Sequence, residues 1–112
     1  MNRGIVSTIY APFVPHRRGA SAADIRAQYR AFYANEPFVR VLDEGKTPST
    51  RFVRYSNRCD IQVYAVHDGN MLQIVSALDN MIKGAAGQAV QNMNLLVGCA
   101  EDTALRIFAP AT

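Results

Sequence analysis

The chain has 112 residues, of which 49% are hydrophobic and 19% charged, and a formal net charge of +3. That length suits one domain spanning residues 1–112, near the size at which a single core stabilises itself, and the composition argues against a disordered chain. The cations are scattered, with no basic block and no interleaved stacking aromatics, so nucleic acid is not the expected partner. No apolar run approaches a membrane span and the N-terminus has no signal-peptide core, so no membrane partner is expected and a cytoplasmic location is. Cys59 and Cys99 are too few for a disulfide scaffold, and neither stands at metal-ligand spacing from His16 or His67, so no metal site is expected.

In chain order, Arg3 to Phe13 alternates with apolar residues on both sides and predicts a strand buried on two faces. His16, Arg17, Arg18 and Gly19 follow as a polar loop, a solvated connection or an anion contact. Ser21 with Asp24 three residues on predicts a capping box in its shorter-acid form. The helix from Ala22 to Ala34 then carries Ile25, Tyr29, Phe32 and Tyr33 on one face. Asn35-Glu36-Pro37 stops it. Phe38 to Leu42 reads as a short strand, Asp43 to Pro48 as a turn-rich loop, and Thr50 to Tyr55 as extended structure. Asp68-Gly69 between two alternating stretches, Ile61 to Val66 and Met71 to Leu78, predicts an antiparallel hairpin.

That hairpin leads into a long helix, with Asp79 and Asn80 as capping residues. Its apolar positions are Ile82, Ala85, Ala86, Ala89, Val90, Met93, Leu96 and Val97, and Gly98 is a natural stop. Glycine in a helix costs about 1 kcal/mol relative to alanine, so Gly84 and Gly87 around Ala85 and Ala86 require a close neighbour. Tight packing on another backbone satisfies that requirement; so does an anion or a cofactor amide at the positive helix end beside Lys83. Beyond Gly98, Ala104 to Phe108 reads as a last short strand or extended segment. The order of elements predicts an α+β domain, an antiparallel or mixed sheet with helices on one face.

The run from Asp79 through Lys83-Gly84-Ala85-Ala86-Gly87-Gln88 to Leu95 resembles the C-terminal signature of the N-acetyl-gamma-glutamyl-phosphate reductases, arginine-biosynthesis relatives of the aspartate-semialdehyde dehydrogenases. Further matches stand in order: Met1-Asn2-Arg3-Gly4-Ile5, Glu36-Pro37-Phe38-Val39, Glu44-Gly45, Ser56-Asn57 and Cys59-Asp60-Ile61. One position departs: the family often has glycine before the Ser-Asn pair, and Tyr55 stands here.

The resemblance implies an NADP-dependent oxidoreductase that reduces an acyl phosphate to a semialdehyde through a cysteine thioester. Such an enzyme needs a dinucleotide (Rossmann) domain, a nucleophilic cysteine and a histidine base, and none of these family elements maps onto this chain. Gly84 to Gly87 lacks the spacing of a dinucleotide fingerprint. Cys59 and His67 stand eight residues apart in one extended segment, roughly 26 Å at about 3.3 Å each, and cannot act as a pair. Met1 matches an internal methionine of the family pattern, so the expectation is a C-terminal fragment or a split enzyme, inactive alone.

By the same resemblance the long helix returns to the dinucleotide domain. This makes Gly84, Ala85 and Gln88 the expected cofactor contacts, and Arg3 and Lys83 the expected charge complements to substrate phosphate or carboxylate. Ser56 and Asn57 are turn residues or substrate contacts. The implied partners are a second copy or larger homo-oligomer, a dinucleotide-binding domain in cis or in trans, and a small acyl phosphate. Without that domain the long helix is expected to carry an uncovered apolar or small-residue side. A non-catalytic α+β association module is the alternative from a different functional class.

Overall fold

The computed structural model describes residues 3–107. A mixed four-stranded sheet is built from β1 (Ile5–Pro12), β2 (Val39–Val41), β3 (Cys59–Val66) and β4 (Met71–Leu78), in the spatial order β1-β4-β3-β2. β4 is antiparallel to both of its neighbours and β2 is parallel to β3. With three α-helices around it, the domain is α+β.

Helix α1 (Ala22–Phe32) starts as the capping pattern requires: the Ser21 hydroxyl oxygen accepts from the Asp24 N–H at 3.1 Å and donates to the Asp24 carboxylate at 2.7 Å. It lies on β3 and β2. Its Ile25 joins Ile61 and Val63 in the core, with Phe13, Tyr29, Tyr33, Val39, Leu72 and Ile74 packed around them. The hairpin turn occupies His67 to Asn70, with His67, Asp68 and Gly69 in the left-handed region and Val66 opposite Met71. Asn70 closes it by donating its N–H and its side-chain amide to the His67 carbonyl.

Three expectations need correction. Thr50 to Tyr55 is not extended: Thr50–Val53 is a short helix, α2, and the Ser49 hydroxyl oxygen accepts from the Arg51 N–H at 3.3 Å. An N-cap serine after Pro48 outweighed the strand propensity of Phe52 and Val53. Ala104 does not open a strand: the chain turns there at φ 62°, and Leu105 folds inward to 4% exposure. Phe108, the end of that expected segment, lies outside the described residues. Finally, β1 is not buried on two faces. It forms one edge of the sheet, and Ile5, Val6, Ile9 and Tyr10 are 43–56% exposed, because α1 covers the opposite half of the sheet.

The long helix begins with one π-helical turn, Ile82–Ala86, and continues as α3 (Gly87–Leu96). Gly84, Ala86 and Gly87 each donate to the carbonyl five residues back, on Asp79, Met81 and Ile82. At the other end Gly98 sits at φ 74°, Cys99 N–H reaches the Asn94 carbonyl at 2.8 Å and Gly98 N–H the Leu95 carbonyl at 3.4 Å. This is the Schellman closure that glycine at that position favours.

Candidate functional site

The expected site residues gather where β4 passes into the helix. Asp79 is fully buried and is the hub of that corner. Its carboxylate accepts from Arg3 Nε at 2.6 Å, from the Tyr55 N–H at 2.6 Å, and from the N–H groups of Met81 at 2.8 Å and Ile82 at 3.0 Å. Burial would raise the Asp79 pKa, but the Arg3 guanidinium and these three backbone donors outweigh it and hold the carboxyl at about 2. Next to it, the Asn80 side-chain oxygen accepts from the Gly4 N–H at 2.7 Å. Two adjacent polar residues thus tie the start of β1, the end of the α2 loop and the first helical turn to the end of β4.

Tyr55 adopts φ 62°, in the left-handed region where glycine is favoured, which gives a physical reason for glycine in the family pattern at this position. Here the tyrosine ring instead lies under the Arg3 guanidinium, 4.2 Å from its carbon to the ring centroid.

A second polar cluster lies behind the first. The inward face of α3 is Gly87, Gln91 and Asn94, all buried. Gln91 Oε1 accepts from Lys83 Nζ at 2.7 Å and from Asn57 Nδ2 at 3.0 Å, while Gln91 Nε2 donates to Glu101 at 2.6 Å. Asn94 Nδ2 donates to the Glu101 and Thr103 carbonyls, each at 3.0 Å, which anchors the segment after the helix. Asn57 Oδ1, also buried, has no hydrogen-bond partner among the described residues. It presses on the helix so closely that a Cβ on Gly87 would lie 2.3 Å from it. The glycine at 87 is therefore explained by packing.

Desolvation lowers the pKa of Lys83, opposed by Cys59, Glu101 and Glu36, and its ammonium lies 5.6 Å from the centre of the Phe38 ring. Burial raises the pKa of the Cys59 thiol against the pull of Lys83, which disfavours a thiolate there. Cys59 and His67 stand at opposite ends of β3 and its turn.

The structure therefore divides the expected residues into two groups. Lys83 and Asn57 converge on Gln91, Arg3 is engaged by Asp79, and Ser56 is fully buried, its hydroxyl donating to the Val53 carbonyl at 2.6 Å. Gly84 and Ala85 are on the outer surface, and Gln88 bonds Asn92 along the helix at 3.0 Å. Asp79 appears in the sequence only as a helix cap; its wider role depends on Arg3 and Tyr55, far from it in sequence. Gln91 and Asn94 carried an available signal, polar residues four and seven positions after Gly87 on one helical face.

The helix face opposite this cluster is apolar and open. Ala85, Ala86 and Ala89 are exposed, Met93 is 52%, Leu96 86% and Val97 64% exposed. Among the described residues there is no group of three metal-ligating side chains, and no helix is long and apolar enough to cross a membrane.

Residues 1–80 match the family model described as semialdehyde dehydrogenase, dimerisation domain. The N-acetyl-gamma-glutamyl-phosphate reductase of Brachyspira hyodysenteriae is 48% identical over 111 residues, 99% of this chain and 31% of the relative. That of Citrifermentans bemidjiense is 51% identical over 108 residues, 96% of this chain and 30% of the relative. The chain thus spans about three tenths of the length of the curated relatives it matches. Among solved structures, aspartate semialdehyde dehydrogenase II of Vibrio cholerae superposes with a TM-score of 0.64 at 18% identity, over 86% of this chain and 27% of that one. At that identity the likeness supports the shared fold. With the mixed sheet, the capped strand-to-helix corner and the family match over most of its length, the chain belongs to the semialdehyde dehydrogenase dimerisation-domain family.

Proposed function

We propose that this chain is the subunit-pairing and substrate-side domain of an NADP-dependent N-acetyl-gamma-glutamyl-phosphate reductase of arginine biosynthesis. In this reading it works only with a dinucleotide-binding domain, in cis or in trans, and without one it does not turn over the acyl phosphate. The observation that carries the reading is the inverted polarity of the long helix. Its buried face is Gly87, Gln91 and Asn94, whereas Met93, Leu96 and Val97 are exposed beside Ala85, Ala86 and Ala89. A surface helix normally buries its apolar stripe, so a stripe left open calls for another surface to cover it.

Within this reading Gly84 and Ala85 present backbone with nothing beyond a methyl group, so a flat cofactor ring can approach closely, and Gln88 offers an amide beside them. The dinucleotide supplies hydride when bound. Asp79 fixes the helix start from which these residues project, and Lys83, held by Gln91, brings positive charge near the same turn for a phosphate or carboxylate, as Arg3 does on the other side of Asp79. Ser56 and Asn57 support the turn between α2 and β3 that carries Tyr55 into this corner. Pairing with a second copy gives the homodimer, and the enzyme acts in the cytoplasm.

The test is complementation. The purified chain is mixed with a separately produced dinucleotide-binding part of a relative, and phosphate-dependent oxidation of the semialdehyde by NADP is followed. Activity in the mixture and none in either part is the expected result. Turnover by this chain alone overturns the proposal, and silence from a mixture of folded parts favours the non-catalytic association module.

A further inference from the structure

We infer that the free edge of β1 receives an extended strand from the polypeptide that carries the nucleotide-binding domain, so that the sheet continues to a fifth strand. This rests on the reading above and names the surface on which that partner docks. β1 reads Ile-Val-Ser-Thr-Ile-Tyr-Ala-Pro, with no charged residue and bulky side chains on both faces. Such a sequence belongs to a strand with a neighbour on each side; an edge that stays free is usually short, charged or bulged. The opposite edge has those safeguards. β2 is three residues long, and its Arg40 makes a two-pronged bond to Asp60 at 2.7 Å per contact. β1 has eight residues and, apart from Pro12 at its end, none of them.

The ladder identifies which backbone groups are available. Phe13 N–H bonds the Asn70 carbonyl at 3.2 Å, directly beyond the Pro12–Met71 pair, so the odd-numbered residues of β1 point their backbone groups at β4. The even-numbered Val6, Thr8 and Tyr10 point theirs away from the sheet, and among the described residues no loop or side chain bonds them. Pro12 falls in the same outward set, where its missing N–H costs the existing ladder nothing. Three donors and four acceptors are thus presented in register, flanked by Ile5, Val6, Ile9 and Tyr10 at 43–56% exposure.

The matched relatives are about three times as long as this chain, which leaves ample polypeptide to supply a strand. Its chemistry follows from the edge: extended, uncharged in its middle, and apolar on both sides so as to cover β1's two faces.

Hydrogen exchange tests this at single amides. The chain is coexpressed with the Brachyspira hyodysenteriae relative lacking the part that matches it, and the complex is compared with the isolated chain. The amides of Ser7, Ile9 and Ala11 should be protected in both samples, and those of Val6, Thr8 and Tyr10 should slow at least tenfold only in the complex. Thr8→Pro removes an outward donor and spares the β4 ladder; it should weaken the complex at least tenfold while Ser7, Ile9 and Ala11 stay protected. A complex in which Val6, Thr8 and Tyr10 exchange as freely as in the isolated chain overturns the inference and leaves the two-part enzyme standing. Protection of these amides in the isolated chain that disappears on dilution overturns it in favour of a second copy at the edge. Failure of a folded chain to form any complex overturns both.

Discussion

The Asp79 corner and the open flank surfaces, the outer edge of β1 and the outer face of α3, are opposite in completeness. In the corner one carboxylate holds an arginine and three backbone N–H groups, and the neighbouring amide holds a fourth N–H. On the flank, three backbone donors of β1 point outward and Leu96 is 86% exposed. The contrast shows that the corner satisfies its own polar groups while apolar side chains of β1 and α3 are left exposed. Polar bonds fix the shape of the strand-to-helix turn, and beside it apolar side chains of β1 and α3 stand exposed.

Breaking the corner has the largest expected effect. Asp79→Ala should lower stability by about 3 kcal/mol, because it strands Arg3 and leaves the Tyr55, Met81 and Ile82 donors unpaired. Urea unfolding near neutral pH checks this. The same carboxyl supplies an acid test. Its folded pKa of about 2 lies below the ordinary aspartate value, so its stabilisation is complete above the unfolded pKa and is lost as pH falls through the folded one. The wild-type chain should therefore lose about 2 kcal/mol from this group on going from pH about 5 to below 2. Asp79→Ala should lack that part of the acid limb; equal acid limbs in the two proteins would show that the corner is not held by this charge.

An intermediate effect is expected at the seam between the two regions. Gly87→Ala places a Cβ 2.3 Å from Asn57 Oδ1 and 2.7 Å from the Ile82 carbonyl oxygen, so the helix must shift. The expected loss is about 2 kcal/mol of stability. A neutral Gly87→Ala in thermal unfolding would mean that the helix rides loosely on the α2–β3 turn.

The smallest stability effect belongs to the flank, where the consequence is for association. Leu96→Glu should change unfolding free energy by no more than about 0.5 kcal/mol, as for an exposed position, while weakening capture of the complementing polypeptide. A large loss of stability would show that Leu96 is covered within the chain, and unchanged capture would remove the helix stripe from the docking surface.

Much of this was legible in order along the chain. The Ser21–Asp24 cap, the Asp68-Gly69 hairpin and the Gly98 stop each depend on a few adjacent residues, and each formed where the local chemistry indicated. Thr50 to Tyr55 was not legible as a helix, because Phe52 and Val53 favour extension while Ser49 and the left-handed Tyr55 decide the outcome at the two ends. The small-residue run was half legible: spacing required close neighbours, and these are the Leu78 side chain, 3.2 Å from a Cβ placed on Gly84, and Asn57, thirty residues before Gly87 and 2.3 Å from a Cβ placed there.

Short patterns and their order along the chain carried the family, the Ser21 cap, the hairpin and helices α1 and α3, but not helix α2. Which faces are covered depended on how the elements pack in space. Periodicity reveals that β1 has apolar residues on both sides and that α3 has an apolar stripe, but burial depends on what packs there. The sheet order leaves β1 at an edge, and the bonds of Gln91 and Asn94 turn the helix so that its polar side is inward. The edge position of β1 follows from strand pairing across the whole chain, and the Asn57–Gln91 bond joins the polar side of the helix to a turn thirty-four residues away.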